Sequence, residues 1–277
     1  MRISLCNEVL AGMAFERQCA VASALGYDGL EIAPFTLGDQ PHLMPAPERA
    51  AVRRTAEAAG LAVTGLHWLL VTPKGLSITS QDADLRARTV GVMTALVELC
   101  AELGGRVLVH GSPAQRAIPE GDDPVAARGR AIDCLASAAR AAEAAGVTYC
   151  LEPLARRETN FVNTVAEAAQ IVEAIGSAHL RTMIDTSAAG LSESEPVPDL
   201  VRRWLPTGLV AHVQVNDRNR RGPGQGDDRF APIFAALRDT RYVGDVAIEP
   251  FDYVPDGPGA AARAIGYVRG ILEAQER

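Results

Sequence analysis

The chain has 277 residues, with 27 Lys and Arg against 34 Asp and Glu, a formal charge of −7, and 48% hydrophobic residues. This is the make-up of a soluble globular protein, long enough to bury a core without disulfide staples. Its acidic balance argues against a main task of neutralising nucleic-acid phosphates, which takes clustered Lys and Arg.

Short β-branched runs alternate along the chain with longer alanine-rich stretches. Strands are expected at residues 2–6, 29–34, 62–69, 106–110, 147–154, 181–186, 210–216 and 245–250. Helices are expected between and after them at 15–25, 47–59, 82–103, 124–145, 165–175, 197–205, 230–238 and 259–273. Gly26, Gly60, Gly104, Gly146 and Gly244 stand where a left-handed glycine ends a helix before the next strand. Ser80-Gln81-Asp82 and Asn163-Thr164 look like N-terminal caps. Eight such units in this length predict an α/β fold, a single (β/α)8 TIM barrel spanning 1–277. A doubly wound open sheet would carry a Gly-rich turn after its first strand, whereas here Asn7-Glu8-Val9 follows.

The five cysteines, Cys6, Cys19, Cys100, Cys134 and Cys150, show no metal or redox spacing and read as reduced thiols. No run approaches the roughly 18 apolar residues of a membrane helix, and polar Asn7 and Glu8 arrive too early for a secretory signal. A cytoplasmic location is therefore expected, with no membrane or nucleic-acid partner.

In a barrel of this kind the chemistry sits where the strands end. Two strands end alike, in Cys150-Leu151-Glu152-Pro153-Leu154 and Ala247-Ile248-Glu249-Pro250-Phe251. The proline holds each glutamate's backbone extended. A carboxylate at that depth needs a partner, either an Arg or Lys or a metal ion. Asp185, closing the sixth strand, adds a third, though an aspartate there also suits an N-cap or turn. On the seventh strand His212, Gln214 and Asn216 alternate with apolar residues and so share the lumen face, where His212 also suits a plain buried core position. Three crowded carboxylates repel unless a cation joins them. An oxygen-rich set favours Mg2+ or Mn2+ over a structural zinc.

These strand ends, with Arg220 and Gly222-Pro223-Gly224-Gln225-Gly226 behind them, resemble the xylose-isomerase-like sugar isomerase and epimerase superfamily over nearly the whole chain. The branches it is most similar to are the D-tagatose 3-epimerase type and the hydroxypyruvate isomerases. The resemblance implies that Glu152, Asp185, Gln214 and Glu249 hold one divalent ion, Mn2+ or Mg2+ with Co2+ or Zn2+ as alternatives. His212 is the fallback for Gln214, because epimerases carry a histidine where this chain has Gln214. Glu158 and Arg220 match the family's substrate-binding positions, and Ala188 stands where the family places a substrate-binding histidine. His67 and His110 are expected as replacement substrate contacts, and Gln115 and Arg116 either meet a polar group of the substrate or belong to a solvated loop.

The expected activity is isomerisation or epimerisation of a ketose or sugar phosphate in carbohydrate metabolism, with Glu152 and Glu249 moving protons through a metal-stabilised cis-enediolate. A lyase or dehydratase acting on an oxidised sugar or cyclic polyol is the alternative. An endonuclease IV-like nuclease is disfavoured by the charge and the five histidines. A non-catalytic sugar-binding protein would not need two opposed glutamates. Assembly as a homo-oligomer stays open.

Overall fold

A computed structural model describes residues 1–275 of the chain. Its eight strands are β1 (Ile3–Cys6), β2 (Gly29–Ile32), β3 (Ala62–Leu66), β4 (Val107–His110), β5 (Thr148–Leu151), β6 (Leu180–Asp185), β7 (Val210–Val215) and β8 (Val246–Ile248). They pair in parallel and in chain order, and β8 returns to β1 to close the barrel. The helices are α1 (Phe15–Leu25), α2 (Ala46–Ala58), α3 (Ala83–Leu103), α4 (Pro124–Ala145), α5 (Val165–Ile175), α6 (Thr186–Ser192), α7 (Val197–Trp204), α8 (Ala231–Asp239) and α9 (Gly257–Gln275). The expected (β/α)8 barrel is thus the observed fold.

Helix ends follow local chemistry. Asp82 and Thr164 cap α3 and α5 by accepting from backbone N–H groups of the first turn. Gly26, Gly104 and Gly146 take the left-handed conformation after α1, α3 and α4. Gly244 does not: the turn out of α8 is made by Arg241, at φ 55°. The expectation missed α6, which starts immediately where β6 ends.

β2, β3, β5 and β8 end two or three residues before their expected C-terminal ends, whereas β1 and β4 end at Cys6 and His110 as expected. Pro153 and Pro250 have no N–H to donate, so the ladders of β5 and β8 stop at Leu151 and Ile248. Trp68 sits at φ 52°, which ends the extended run of β3 at Leu66. Between strands and helices lies the main core, with Leu5, Leu30, Leu66, Leu108 and Leu151 fully buried. Inside the barrel, Val109, Cys150 and Met183 form a small separate plug. At Gly65 a Cβ would come 2.3 Å from the Val107 carbonyl, so β3 and β4 approach there only because the side chain is absent. All five cysteines are free and buried. Among the described residues no helix is long and apolar enough to cross a membrane.

Candidate active site

Glu152 and Glu249 each stand one residue beyond a ladder, at the ends of β5 and β8, and Asp185 is the last residue of β6. Strands three places apart around an eight-stranded barrel face each other across its mouth, so the two glutamates approach from different sides. Carboxylate oxygens of Glu152, Asp185 and Glu249 lie within 4.8 Å of one another, and all three residues are buried. Asp185 takes the capping role foreseen for it and keeps one oxygen free. One oxygen accepts from the Ala188 N–H at 2.7 Å and caps α6, while Oδ2 is buried with no partner.

Burial, and then mutual repulsion, raise these groups. Glu152 lies well above the ordinary glutamate range through burial and Asp185, and Glu249 through burial and Glu152. Burial pushes Asp185 up to about 7. Three carboxylates that resist ionising together, with one oxygen unpaired, make a donor set that a divalent cation fits.

On β7 the alternation holds. Gln214 donates through Nε2 to Glu31 Oε1 at 2.7 Å, and its own Oε1 is buried without a partner. His212, the fallback ligand, is turned to the other oxygen of Glu31, with Nε2 2.7 Å from Oε2. It joins neither group of side chains close enough to share a metal ion, so Gln214 stays the preferred β7 candidate and His212 its fallback. Asn216 donates to the Glu249 carbonyl at 2.9 Å and tethers β8 to β7.

Neither histidine expected as a substrate contact lines the cavity at the barrel mouth. His67 is fully buried, with Nε2 2.7 Å from Glu8 Oε2 and 3.8 Å from Glu249 Oε1. Burial opposes its charge, but Glu8 and Glu31 more than offset that and raise its pKa. Its bond is to Glu8, and Glu249 lies beside the pair. His110 lies on the helix side of β4, because Val107 and Val109 take the inward places. Its Nδ1 pairs with the Tyr149 hydroxyl at 2.8 Å, and burial, then Arg116, lower its pKa to about 3.

Other groups enter that the sequence did not single out for this role. Trp68 donates from its indole N–H to Glu249 Oε1 at 2.9 Å and packs between Phe35 and Phe251. Arg116 is not in a solvated loop: it is fully buried and donates to the carbonyls of Glu152 at 2.5 Å and His110 at 3.2 Å, clamping β4 to β5. Burial lowers its pKa to about 10, against the opposing pull of Glu152, so it stays charged at neutral pH.

Beside the two glutamates lies a cavity of about 230 Å3 lined by Trp68, Glu152, Glu158, Arg220, Glu249 and Phe251, among others. Glu158 is held by the Ala155 N–H at 3.1 Å, and Arg220, at φ 72°, lies with its guanidinium 5.3 Å from the Phe251 ring centre. Gly111 completes the wall. A Cβ there would fall 1.8 Å from Glu152 Oε2, so the glutamate reaches its place through the space glycine leaves. A larger groove of about 680 Å3 lies between α8 and α9 near Met1, at the opposite end of the barrel from these residues.

The chain resembles sugar epimerases in sequence and in fold. It is 28% identical to a D-psicose 3-epimerase of Agrobacterium fabrum over 231 residues, 82% of this chain and 76% of that protein. It is 33% identical to an L-ribulose 3-epimerase of Mesorhizobium japonicum over 178 residues, 63% of this chain and 58% of that one. Its structure superposes on that of an L-ribulose 3-epimerase with a TM-score of 0.83 at 25% identity, covering 100% of this chain and 96% of the other. The sequence pattern of the xylose isomerase-like TIM barrels matches residues 19–271, and the chain belongs to that family.

Proposed function

We propose that the protein is a ketose 3-epimerase that depends on a divalent metal. The observation that carries this is the meeting of Glu152 and Glu249, from strands three apart, with Asp185 in one buried group beside a sugar-sized cavity. The relatives named as D-psicose and L-ribulose 3-epimerases support the substrate class.

Glu152, Asp185, Gln214 and Glu249 would hold the cation, which supplies positive charge against the charge developing on the substrate's oxygens. An all-oxygen set of this kind suits Mn2+ or Mg2+. Glu152 and Glu249 flank the substrate carbon next to the carbonyl. One takes its proton, leaving an enediolate, and the other returns a proton to the opposite face, inverting that carbon. Trp68 holds one oxygen of Glu249, so the other is the one free to serve the substrate. Arg116 fixes the backbone of Glu152. Glu158 and Arg220 stand at the wall of the cavity, where they can bind hydroxyl groups, and Trp68 and Phe251 form its apolar side and limit water.

Purified protein with Mn2+, incubated with D-psicose or L-ribulose, is expected to form the C3 epimer, resolved by ion-exchange chromatography. Glu152→Gln and Glu249→Gln are each expected to abolish it while the far-UV circular dichroism stays unchanged. Full activity after exhaustive chelation would sink the metal-dependent reading. Ala188, where the family resemblance places a substrate-binding histidine, keeps a second reading, elimination from an oxidised sugar, which would reveal itself as a product lighter by one water.

A further inference from the structure

Gln214 is an uncommon choice for a metal ligand, since its amide presents an oxygen and a nitrogen of nearly the same shape and only the oxygen can bind a cation. Something must decide which of the two faces the carboxylates. Glu31, on β2, is fully buried in the barrel lumen, and no step of the proposed mechanism uses it. Its two oxygens face the two inward polar side chains of β7: Oε1 accepts a hydrogen bond from Gln214 Nε2, and Oε2 lies in ion-pair contact with His212 Nε2, each at 2.7 Å. A carboxylate accepts and cannot donate, so it tolerates the amide in one orientation only. With the amide turned over, two oxygens would oppose each other at hydrogen-bond distance in a site without water access. The Gln214 carbonyl oxygen is thereby forced onto the other branch, where it is buried and has no donor.

Two imidazoles stand beside this carboxylate: His212 Nε2 lies 2.7 Å from Oε2 and His67 Nδ1 3.7 Å from Oε1. β1 adds Cys6, whose thiol lies 3.9 Å from both Glu31 Oε1 and Gln214 Nε2 and fills the remaining space.

We propose that Glu31 is the positioning residue of the metal centre: it locks the Gln214 amide with its oxygen toward Glu152, Asp185 and Glu249. The inference rests on Gln214 being a ligand, as proposed above. Groups that orient a ligand in this way are worth about 10- to 100-fold in metal affinity.

The test is Mn2+ affinity, measured by isothermal titration calorimetry on the metal-free full chain, for Glu31→Ala, Glu31→Gln, Gln214→Ala and the double variant Glu31→Ala/Gln214→Ala. Glu31→Ala is expected to weaken Mn2+ by about 10- to 100-fold. Glu31→Gln keeps an oxygen that accepts from Gln214, while its NH2 donates to the His212 ring, and is expected to restore most of the affinity. On the Gln214→Ala background, Glu31→Ala is expected to cost no more than about a further twofold, since it acts through a side chain no longer present. Equal losses for Glu31→Gln and Glu31→Ala would overturn the proposal in favour of a plain charge effect. A full additional loss in the double variant would overturn it too. Wild-type affinity in Gln214→Ala would instead remove the ligand assignment itself, and the inference with it. Thermal unfolding of each metal-free variant separates these outcomes from a failure to fold.

Discussion

Replacing Trp68 by phenylalanine removes one N–H and keeps an aromatic ring between Phe35 and Phe251. The bond lost is the 2.9 Å contact from the indole to Glu249 Oε1. A hydrogen bond to a charged group is worth about 1.5–3 kcal/mol, and one left without its partner in a buried place costs a similar amount. His67, at 3.8 Å from the same oxygen and already engaged by Glu8, is too far to replace it. Trp68 itself is only partly buried, which argues for the lower half of that range, about 1.5–2.2 kcal/mol, or roughly 10- to 40-fold in rate at 1.4 kcal/mol per decade. Because the group that loses its tether is a proposed proton carrier rather than a binding surface, the loss should fall on kcat. The ring that lines the cavity survives, so KM should change by less than about threefold. Steady-state kinetics of Trp68→Phe on the best ketose substrate, with Mn2+ saturating, measures both. An unchanged kcat with a raised KM would refute the argument and reduce Trp68 to a wall of the pocket.

Three other perturbations follow from the same geometry. Gly111→Ala places a methyl group 1.8 Å from where Glu152 Oε2 now lies. Displacing that glutamate by about an ångström should cost on the order of 100-fold in kcat/KM, with little change in Tm. Arg116→Met leaves the carbonyls of Glu152 and His110 without a buried donor, and urea unfolding should show a loss of about 2–4 kcal/mol. Asp185 is raised from 3.8 to about 7 by burial, so the metal-free folded state holds a proton that the unfolded chain releases. That contribution to stability is present below about 3.8 and is lost as pH rises through about 7, and Glu152 and Glu249 act in the same direction. The Tm of the metal-free protein should therefore have a falling component between pH 5 and 8, and the rise in Tm on adding Mn2+ should grow over the same interval. A pH-independent rise would contradict it.

The parts of the site that were legible in the sequence are those whose geometry is local. Glu152 and Glu249 are marked by the proline that follows each, and period-two alternation placed Gln214 and Asn216 inward without any tertiary information. His110 failed because Leu108, Val109 and His110 are all buried, so β4 is covered on both faces and shows no alternation from which to read the inward side. Trp68 and Arg116 act through contacts 181 and 36 residues away along the chain, which leave no local trace. α6 follows β6 without a loop and has too few turns to show an apolar period, so only its cap, Asp185, was visible. Glu31 did carry a signal, an acid inside the apolar run Gly29-Leu30-Glu31-Ile32, of the same kind that marked Glu152.

The central claim is that protons move between two opposed glutamates and one substrate carbon. The measurement that addresses it most directly is turnover of D-psicose by the Mn2+-loaded protein in deuterated water, followed by mass spectrometry and 1H NMR of the products. Proton transfer through Glu152 and Glu249 predicts a C3 epimer of conserved carbon skeleton carrying one deuterium at C3. An epimer free of deuterium at C3, or a product lighter by the mass of water, would contradict it.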